Sequence, residues 1–194
     1  MAVQEDRGLW GMRMAGIVVY GSQYGSAKRY AEELARRAGL EAQPFDVVGD
    51  INKYDVIAYI GSLYAGGVMG MKKTFSKLAS CGGKTIVIAT VGLADPADQE
   101  NVANIEAGMR HQLPAEVLEH ARIFHLRSGI DYGKLGFKHK TMMRLLYAKA
   151  KGLPEEQKTA EVRAMIETYG KQVDFTDFGS LEPLVAVLQE GLST

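Results

Sequence analysis

The sequence predicts an α/β domain with a doubly wound parallel sheet. Apolar runs rich in β-branched residues alternate along the chain with helical patterns, which is typical of βαβ units. The first run, residues 17–19, is followed by a glycine- and serine-rich turn and then by a helix. That helix has apolar residues at helical spacing up to Ala38 and is expected to end at Gly39. We therefore expect three layers, with helices on both faces of the sheet.

The same two patterns predict the remaining elements. Further strands are expected at residues 42–47, 55–60, 84–91 and 123–126. Further helices are expected at residues 69–79, 96–112, 139–151, 155–173 and 181–189. Glycine and proline cluster in short connections, so we expect no boundary within a single domain of residues 14–194. Residues 1–13 are expected to be a flexible N-terminal extension.

The composition excludes several classes of function. The 194 residues include 23 Lys and Arg against 23 Asp and Glu, so no global field favours nucleic acid as a partner. The single cysteine, Cys81, rules out an internal disulfide and suits a reducing cytoplasm. No apolar run approaches the length of a membrane span. No metal site is expected, because no metal-ligand spacing relates the histidines His111, His120, His125 and His139.

The turn after the first strand predicts an anion site. A glycine- and serine-rich turn that opens a helix brings free backbone N–H groups and the positive end of the helix dipole together. Small side chains there let a phosphate approach the backbone. The alternative is a tight turn in which Ser26 only caps the helix. The candidate anion-binding residues are Ser22, Gln23, Tyr24, Gly25, Ser26 and Ala27.

Two further loops follow the third and fourth predicted strands. In an open parallel sheet the carboxyl ends of the strands line the crevice that binds ligands. These two loops are placed to flank a planar group beside the anion site. The candidate residues are Ser62, Leu63, Tyr64 and Ala65 in the second loop and Thr90, Val91, Gly92, Leu93 and Ala94 in the third.

This order of strands and loops resembles the flavodoxin-like fold from about Met14 to the C-terminus. The resemblance implies five parallel strands in the order 2-1-3-4-5 and FMN as the cofactor. The phosphate loop of that family usually reads Thr/Ser-x-Thr-Gly-x-Thr, and here Tyr24 and Ala27 replace two of its hydroxyl residues. Backbone N–H groups would then supply most of the phosphate bonds.

Later segments are similar to one branch of this fold, which contains the bacterial menaquinone-dependent protoporphyrinogen dehydrogenases. The similar segments are residues 61–67, 127–137, 140–147 and 173–178. The resemblance implies a cytoplasmic oxidoreductase that exchanges two electrons between FMN and a small planar substrate of quinone or porphyrinogen type. It identifies no catalytic side chain. Backbone groups at residues 92–94 are expected to tune the flavin.

Tyr64 is expected to stack on one face of the flavin ring, whereas residues 91–94 offer no aromatic side chain for the other face. An uncovered face admits a substrate, and the chain lacks the strong acidity of flavodoxins that carry single electrons. Both observations favour an enzyme. Two alternatives stay open, a one-electron carrier that docks on a redox protein and an interaction module without cofactor.

A basic segment, residues 138–151, alternates cations with apolar residues. It is interpreted either as an amphipathic helix in weak peripheral contact with the inner face of a membrane or as a helix packed on the sheet edge. The preceding connection, residues 129–136, is long enough to cover part of the flavin. The oligomeric state stays open.

Overall fold

The computed structural model describes residues 14–64 and 66–194. Its main sheet has five parallel strands in the order β2-β1-β3-β5-β6, and the short β4 pairs antiparallel to β3. The strands are β1 (Gly16–Gly21), β2 (Glu41–Pro44), β3 (Val56–Tyr64), β4 (Gly67–Val68), β5 (Thr85–Gly92) and β6 (Arg122–Arg127). Without β4 this is the predicted order 2-1-3-4-5. The predicted extension, residues 1–13, lies outside the described residues and stays a prediction.

Helices cover both faces of the sheet, as predicted. They are α1 (Ser26–Ala38), α2 (Met71–Phe75), α3 (Gln99–Arg110), α4 (Ala115–His120), α5 (Phe137–Lys151), α6 (Ala160–Thr168) and α7 (Glu182–Ser193). The prediction of a single helix at residues 155–173 is wrong. The Thr159 hydroxyl accepts a hydrogen bond from the Val162 N–H and starts α6. Gly170 then adopts a φ of +75°, and the chain continues as a strand, β8 (Gln172–Asp174).

The strands alternate between two buried faces. In β1, for example, Val18 packs under α1 and α7, whereas Val19 packs under α2, α3 and α4. This period of two is expected for a strand that is covered on both sides. The rigid sheet holds the ends of β1, β3 and β5 side by side, since Gly21 lies opposite Gly61 and Ser62 lies opposite Val91.

The segment predicted as a loop at 61–67 is instead the end of β3 and a hairpin to β4. The returning chain passes so close that a Cβ on Gly21 would lie 2.0 Å from the Met69 carbonyl oxygen. Only glycine fits there. The hydroxyl of Tyr59 also donates a hydrogen bond to the Met69 carbonyl oxygen, which holds the returning chain against the sheet.

A small cap lies over the carboxyl ends of the strands. It consists of α5, α6 and a two-stranded ribbon of β7 (Gly129–Asp131) and β8, and it has its own core around Ile130, Tyr132 and Met143. The basic helix α5 therefore packs on α6 within this cap and not on the sheet edge. Among the described residues, no helix combines the length and apolarity needed to cross a membrane.

Candidate functional site

The first helix begins directly at the crevice. Gly25 precedes α1 with a φ of +94°, and no side chain caps the helix or adds an acidic group to its first turn. An ideal Cβ on Gly25 meets nothing within 4 Å, so the backbone there borders open space. The Ser22 hydroxyl accepts a hydrogen bond from the Gly25 N–H at 3.1 Å and shapes the turn. Uncapped N–H groups at a helix start, with Lys28 close by, suit an anion.

A polar cavity of about 590 Å³ lies in front of this helix start. Its other walls come from the β7–β8 ribbon, from residues 134–136 between β7 and α5, and from His139 of α5. Gln23 Nε2 lies 2.7 Å from His139 Nε2, so the first loop and α5 are in direct contact. The predicted residues that line this cavity are Gln23, Tyr24, Gly25 and Ser26.

A second, mainly apolar cavity of about 310 Å³ adjoins the first. The two cavities share walls, since both are lined by Tyr24, Ser26, Gly129 and Ile130. The predicted residues that line it are Tyr24, Ser26, Ser62, Leu63, Tyr64, Val91, Gly92 and Leu93. A volume in this range is typical of small-molecule sites. The pair of cavities suits an elongated ligand with an anionic end and a flat apolar end.

Tyrosine and methionine side chains shape the apolar cavity. Tyr24 and Tyr64 both line it, and their hydroxyls contact the sulfurs of Met143 and Met142 at 3.7 Å and 3.5 Å. Burial, and then the nearby Tyr64, raise the pKa of Tyr24, so its phenol is neutral at physiological pH. The apolar cavity thus has a second aromatic residue besides Tyr64. It is Tyr24 of the first loop, whereas the sequence analysis looked for it in the third loop at residues 91–94.

The third loop binds a carboxylate. The N–H groups of Leu93 and Ala94 donate to the two carboxylate oxygens of Glu161, each at 2.9 Å. Two backbone donors that the sequence assigned to tuning the flavin are therefore already engaged. Glu161 lies in the first turn of α6 and itself lines the apolar cavity.

A third, smaller cleft of about 220 Å³ borders the apolar cavity. Leu63, Tyr64 and Glu161 line both spaces. The far side of the cleft is formed by β4 and α3, where Asn101 and Asn104 supply carboxamides. The cleft thus offers polar partners next to a flat apolar site.

Four predicted residues line none of these spaces, and one lies outside the described residues. Ser22 acts through its bond to Gly25, and Ala27 lies in α1 with its side chain fully buried. Thr90 is buried, with its hydroxyl 2.7 Å from His125 Nδ1. Ala94 contributes its N–H to Glu161. Ala65 is the residue outside the described part, so its predicted role stays untested.

Sequence reasoning missed most of the cap. The missed lining residues are Ser128, Gly129, Ile130, Met142, Met143, Leu146, Glu161, Val162 and Met165. Only the length of the connection at 129–136 indicated that the chain folds back over the site. No spacing pattern marks Glu161, because it reaches the third loop from 67 residues further along the chain. Within residues 14–64 and 66–194, no cluster of three or more His, Cys, Asp or Glu side chains is arranged to hold a metal ion.

A family model described as "Flavodoxin domain" matches residues 17–157. A search of curated proteins gave no match. Similar solved structures include a Fusobacterium nucleatum flavodoxin bound to flavin mononucleotide, which is 11% identical in sequence. The match covers 57% of this chain and 68% of that chain, with a TM-score of 0.42. The two-electron reduced Megasphaera elsdenii flavodoxin matches at 12% identity, with 78% and 96% coverage and a TM-score of 0.42. A WrbA-like protein from Agrobacterium tumefaciens matches at 20% identity, with 57% and 82% coverage and a TM-score of 0.39.

Proposed function

This chain belongs to the flavodoxin domain family, and on that premise we propose that it binds FMN and is an FMN-dependent oxidoreductase. The adjoining polar and apolar cavities support this proposal, since FMN joins a phosphate to a flat ring. Bound FMN would supply the electron-transfer chemistry, whereas the protein supplies binding, orientation and electrostatics.

The lining residues of the two cavities fit FMN at both its phosphate end and its ring end. The phosphate would lie against the uncapped N–H groups at the start of α1, where Gly25 leaves the backbone open. Lys28 lines the same cavity, with its ammonium 3.6 Å from the Glu32 carboxylate. The ring would lie in the apolar cavity (the ring cavity), between Tyr24, Tyr64 and the third loop. Tyr24 and Ala27 stand in place of two hydroxyl residues, and the backbone donors remain available beside them.

The cleft beside the ring cavity favours two-electron chemistry with a substrate. It opens next to Tyr64 and is lined by Asn101, Asn104 and Thr159, whose polar groups suit a planar molecule with oxygen or nitrogen at its edge. A porphyrinogen-type donor would give up two electrons and two protons through the ring. A quinone would take up the same number and leave as a quinol. The similarity of residues 61–67, 127–137, 140–147 and 173–178 to the menaquinone-dependent protoporphyrinogen dehydrogenases supports the proposal that the chain belongs to their branch.

A purified yellow sample that releases FMN on heating tests the cofactor assignment. A colourless protein that takes up no FMN would leave the alternative of an interaction module. Redox titration then separates the two flavin functions, because a one-electron carrier is reduced in two resolved steps and a two-electron enzyme in one. A screen of quinones and porphyrinogens as oxidants and reductants identifies the substrate class.

Gly108→Leu tests the cleft directly. Gly108 lies in α3 and lines the cleft but not the ring cavity. Its ideal Cβ meets only the Gly66 carbonyl oxygen, at 3.7 Å, so a larger side chain enters the cleft without a clash at Cβ. Leucine also favours a helix more than glycine does. We expect unchanged FMN binding and loss of quinone reduction, while Ala107→Leu, at an exposed position of the same helix, keeps both. Full quinone turnover in Gly108→Leu would place the substrate elsewhere.

A further inference from the structure

Glu161 presents a carboxylate in a fixed position at the ring cavity. Each carboxylate oxygen accepts one backbone N–H, from Leu93 and from Ala94, at 2.9 Å. Bonds from neutral N–H groups to an ionised carboxylate are stronger than bonds between neutral groups. The residue is also in the first turn of α6, where the helix dipole favours a negative charge.

The local backbone makes room for this carboxylate. An ideal Cβ on Gly92 would lie 3.0 Å from Glu161 Oε2 and 2.6 Å from Leu63 Cδ1. A side chain at Gly92 would therefore displace the Leu63 side chain and press on the carboxylate. Glycine at this position allows α6 to close against the third loop.

No cation within the described residues forms an ion pair with Glu161. The nearby Arg127 donates from Nε to the Leu93 carbonyl oxygen at 3.2 Å, and its guanidinium lies 3.9 Å from the Phe175 ring centroid. The charge at Glu161 is thus held by backbone donors and not cancelled by a neighbouring cation. It remains available to act on whatever occupies the cavity.

We infer that Glu161 is a positioning residue that pins the third loop and lowers the reduction potential of the bound flavin by placing a negative charge beside its ring. The inference rests on the proposed binding of FMN. Reduction adds electron density to the ring, and a fixed negative charge in a partly apolar cavity opposes it. The same charge weakens binding of the reduced cofactor relative to the oxidised one, because affinity and potential are linked in one thermodynamic cycle.

The test measures the reduction potential of FMN bound to four proteins, with dithionite as the reductant and redox dyes as indicators. Glu161→Gln removes the charge and should raise the potential, so that reduced FMN binds at least about tenfold more tightly relative to oxidised FMN than in the parent. Glu161→Asp keeps the charge and should stay closer to the parent than Glu161→Gln does. Glu167→Gln removes one charge from an exposed position of the same helix and should leave the potential unchanged. If Glu161→Gln does not fold, Glu161→Met replaces it as the neutral variant.

Two outcomes would overturn the inference. One is a potential in the neutral Glu161 variants equal to that of the parent. The other is an equal rise in Glu167→Gln, which would indicate net charge as the cause. If the parent protein takes up no FMN, the proposed function fails first, and this is seen before any variant is compared. Amide hydrogen exchange at Leu93 and Ala94 in FMN-free protein checks the pinning separately, and it should speed up in Glu161→Gln.

Discussion

The Ser26 hydroxyl exchanges two hydrogen bonds with the backbone of Gly129. Ser26 Oγ donates to the Gly129 carbonyl oxygen at 3.3 Å and accepts from the Gly129 N–H at 3.2 Å. These bonds join the first residue of α1 to the first residue of β7, 103 positions later in the chain. The turn that bears the candidate anion site is thereby fastened to the cap that encloses it.

Ser26→Ala should loosen this joint. The variant leaves both backbone groups of Gly129 without their partner, which costs about 1–3 kcal/mol where such groups are buried. We expect a lower free energy of unfolding in urea and weaker FMN binding by fluorescence titration. A variant with the parent's affinity for FMN would show that the cap position does not matter for the phosphate end.

Gly25 and Gly39 form a matched pair at the two ends of α1. Both have positive φ, and an ideal Cβ on either meets nothing within 4 Å. Alanine at either position should cost about 1–2 kcal/mol of stability through backbone strain. Only Gly25→Ala should also weaken FMN binding, because its methyl group enters the space assigned to the phosphate. Equal FMN affinity in the two variants would contradict that assignment.

The sequence predicted those parts of the molecule that local chemistry determines. The strand before Gly21, the start of α1 after Gly25 and its end at Gly39 all follow from short-range patterns, and all three are confirmed. The short β4 was missed, because the chain at 61–67 reads as a glycine-rich loop. Its pairing depends on Gly21 leaving room for Met69, a contact between distant residues.

The packing of the cap could not be predicted from such short-range patterns. Leu145 and Leu146 have the spacing of a core stripe with Met142, yet Leu145 is 66% exposed, and only Met142 and Leu146 line the cavity. A helical pattern indicates which residues share a face, but not which face the rest of the protein covers. The contact of Glu161 with the third loop was missed because it joins residues that lie 67 positions apart in the chain.

Tyr64 is expected to stack on the flavin ring. Tyr64→Ala should weaken FMN binding by about 0.5–1.5 kcal/mol beyond the loss of contact area, and it should brighten the flavin fluorescence. Tyr64→Phe keeps the ring and loses only the hydroxyl contact to Met142, so it should stay close to the parent in both measurements. Unchanged affinity and emission in Tyr64→Ala would show that Tyr64 does not touch the ring.

Two buried tyrosines should respond oppositely to loss of their hydroxyl groups. The Tyr132 hydroxyl is buried without a partner among the described residues, and burial, with Tyr169 and Tyr24 nearby, raises its pKa to about 12. The Tyr30 hydroxyl donates to the Arg127 carbonyl oxygen and accepts from the Asp177 N–H, both at 2.9 Å. In urea unfolding, Tyr132→Phe should raise stability by about 1 kcal/mol, and Tyr30→Phe should lower it by about 1–3 kcal/mol. A loss of stability in Tyr132→Phe would mean that its hydroxyl has a partner.

The outer face of α5 combines positive charge with exposed apolar side chains. Phe137 is 86% exposed, and with Arg144 and Leu145 it shares the helix face that points away from the cap. The other cations of the helix are exposed on either side of this face: Lys138, Lys140, Lys149 and Lys151. We expect this face to dock weakly on an anionic bilayer, since each cation near such a surface contributes about 1 kcal/mol and exposed apolar side chains add to it.

Co-sedimentation with liposomes tests this docking. We expect binding to vesicles that contain phosphatidylserine at low salt, and little binding to neutral vesicles or at high salt, where the charges are screened. Phe137→Ser combined with Leu145→Ser should weaken the binding severalfold. Val47→Ser removes a side chain that is 68% exposed on another part of the surface, so it should leave binding unchanged. Equal sedimentation with anionic and neutral vesicles would leave the basic face of α5 as a solvated surface, and an equal loss in the two sets of variants would place the contact elsewhere.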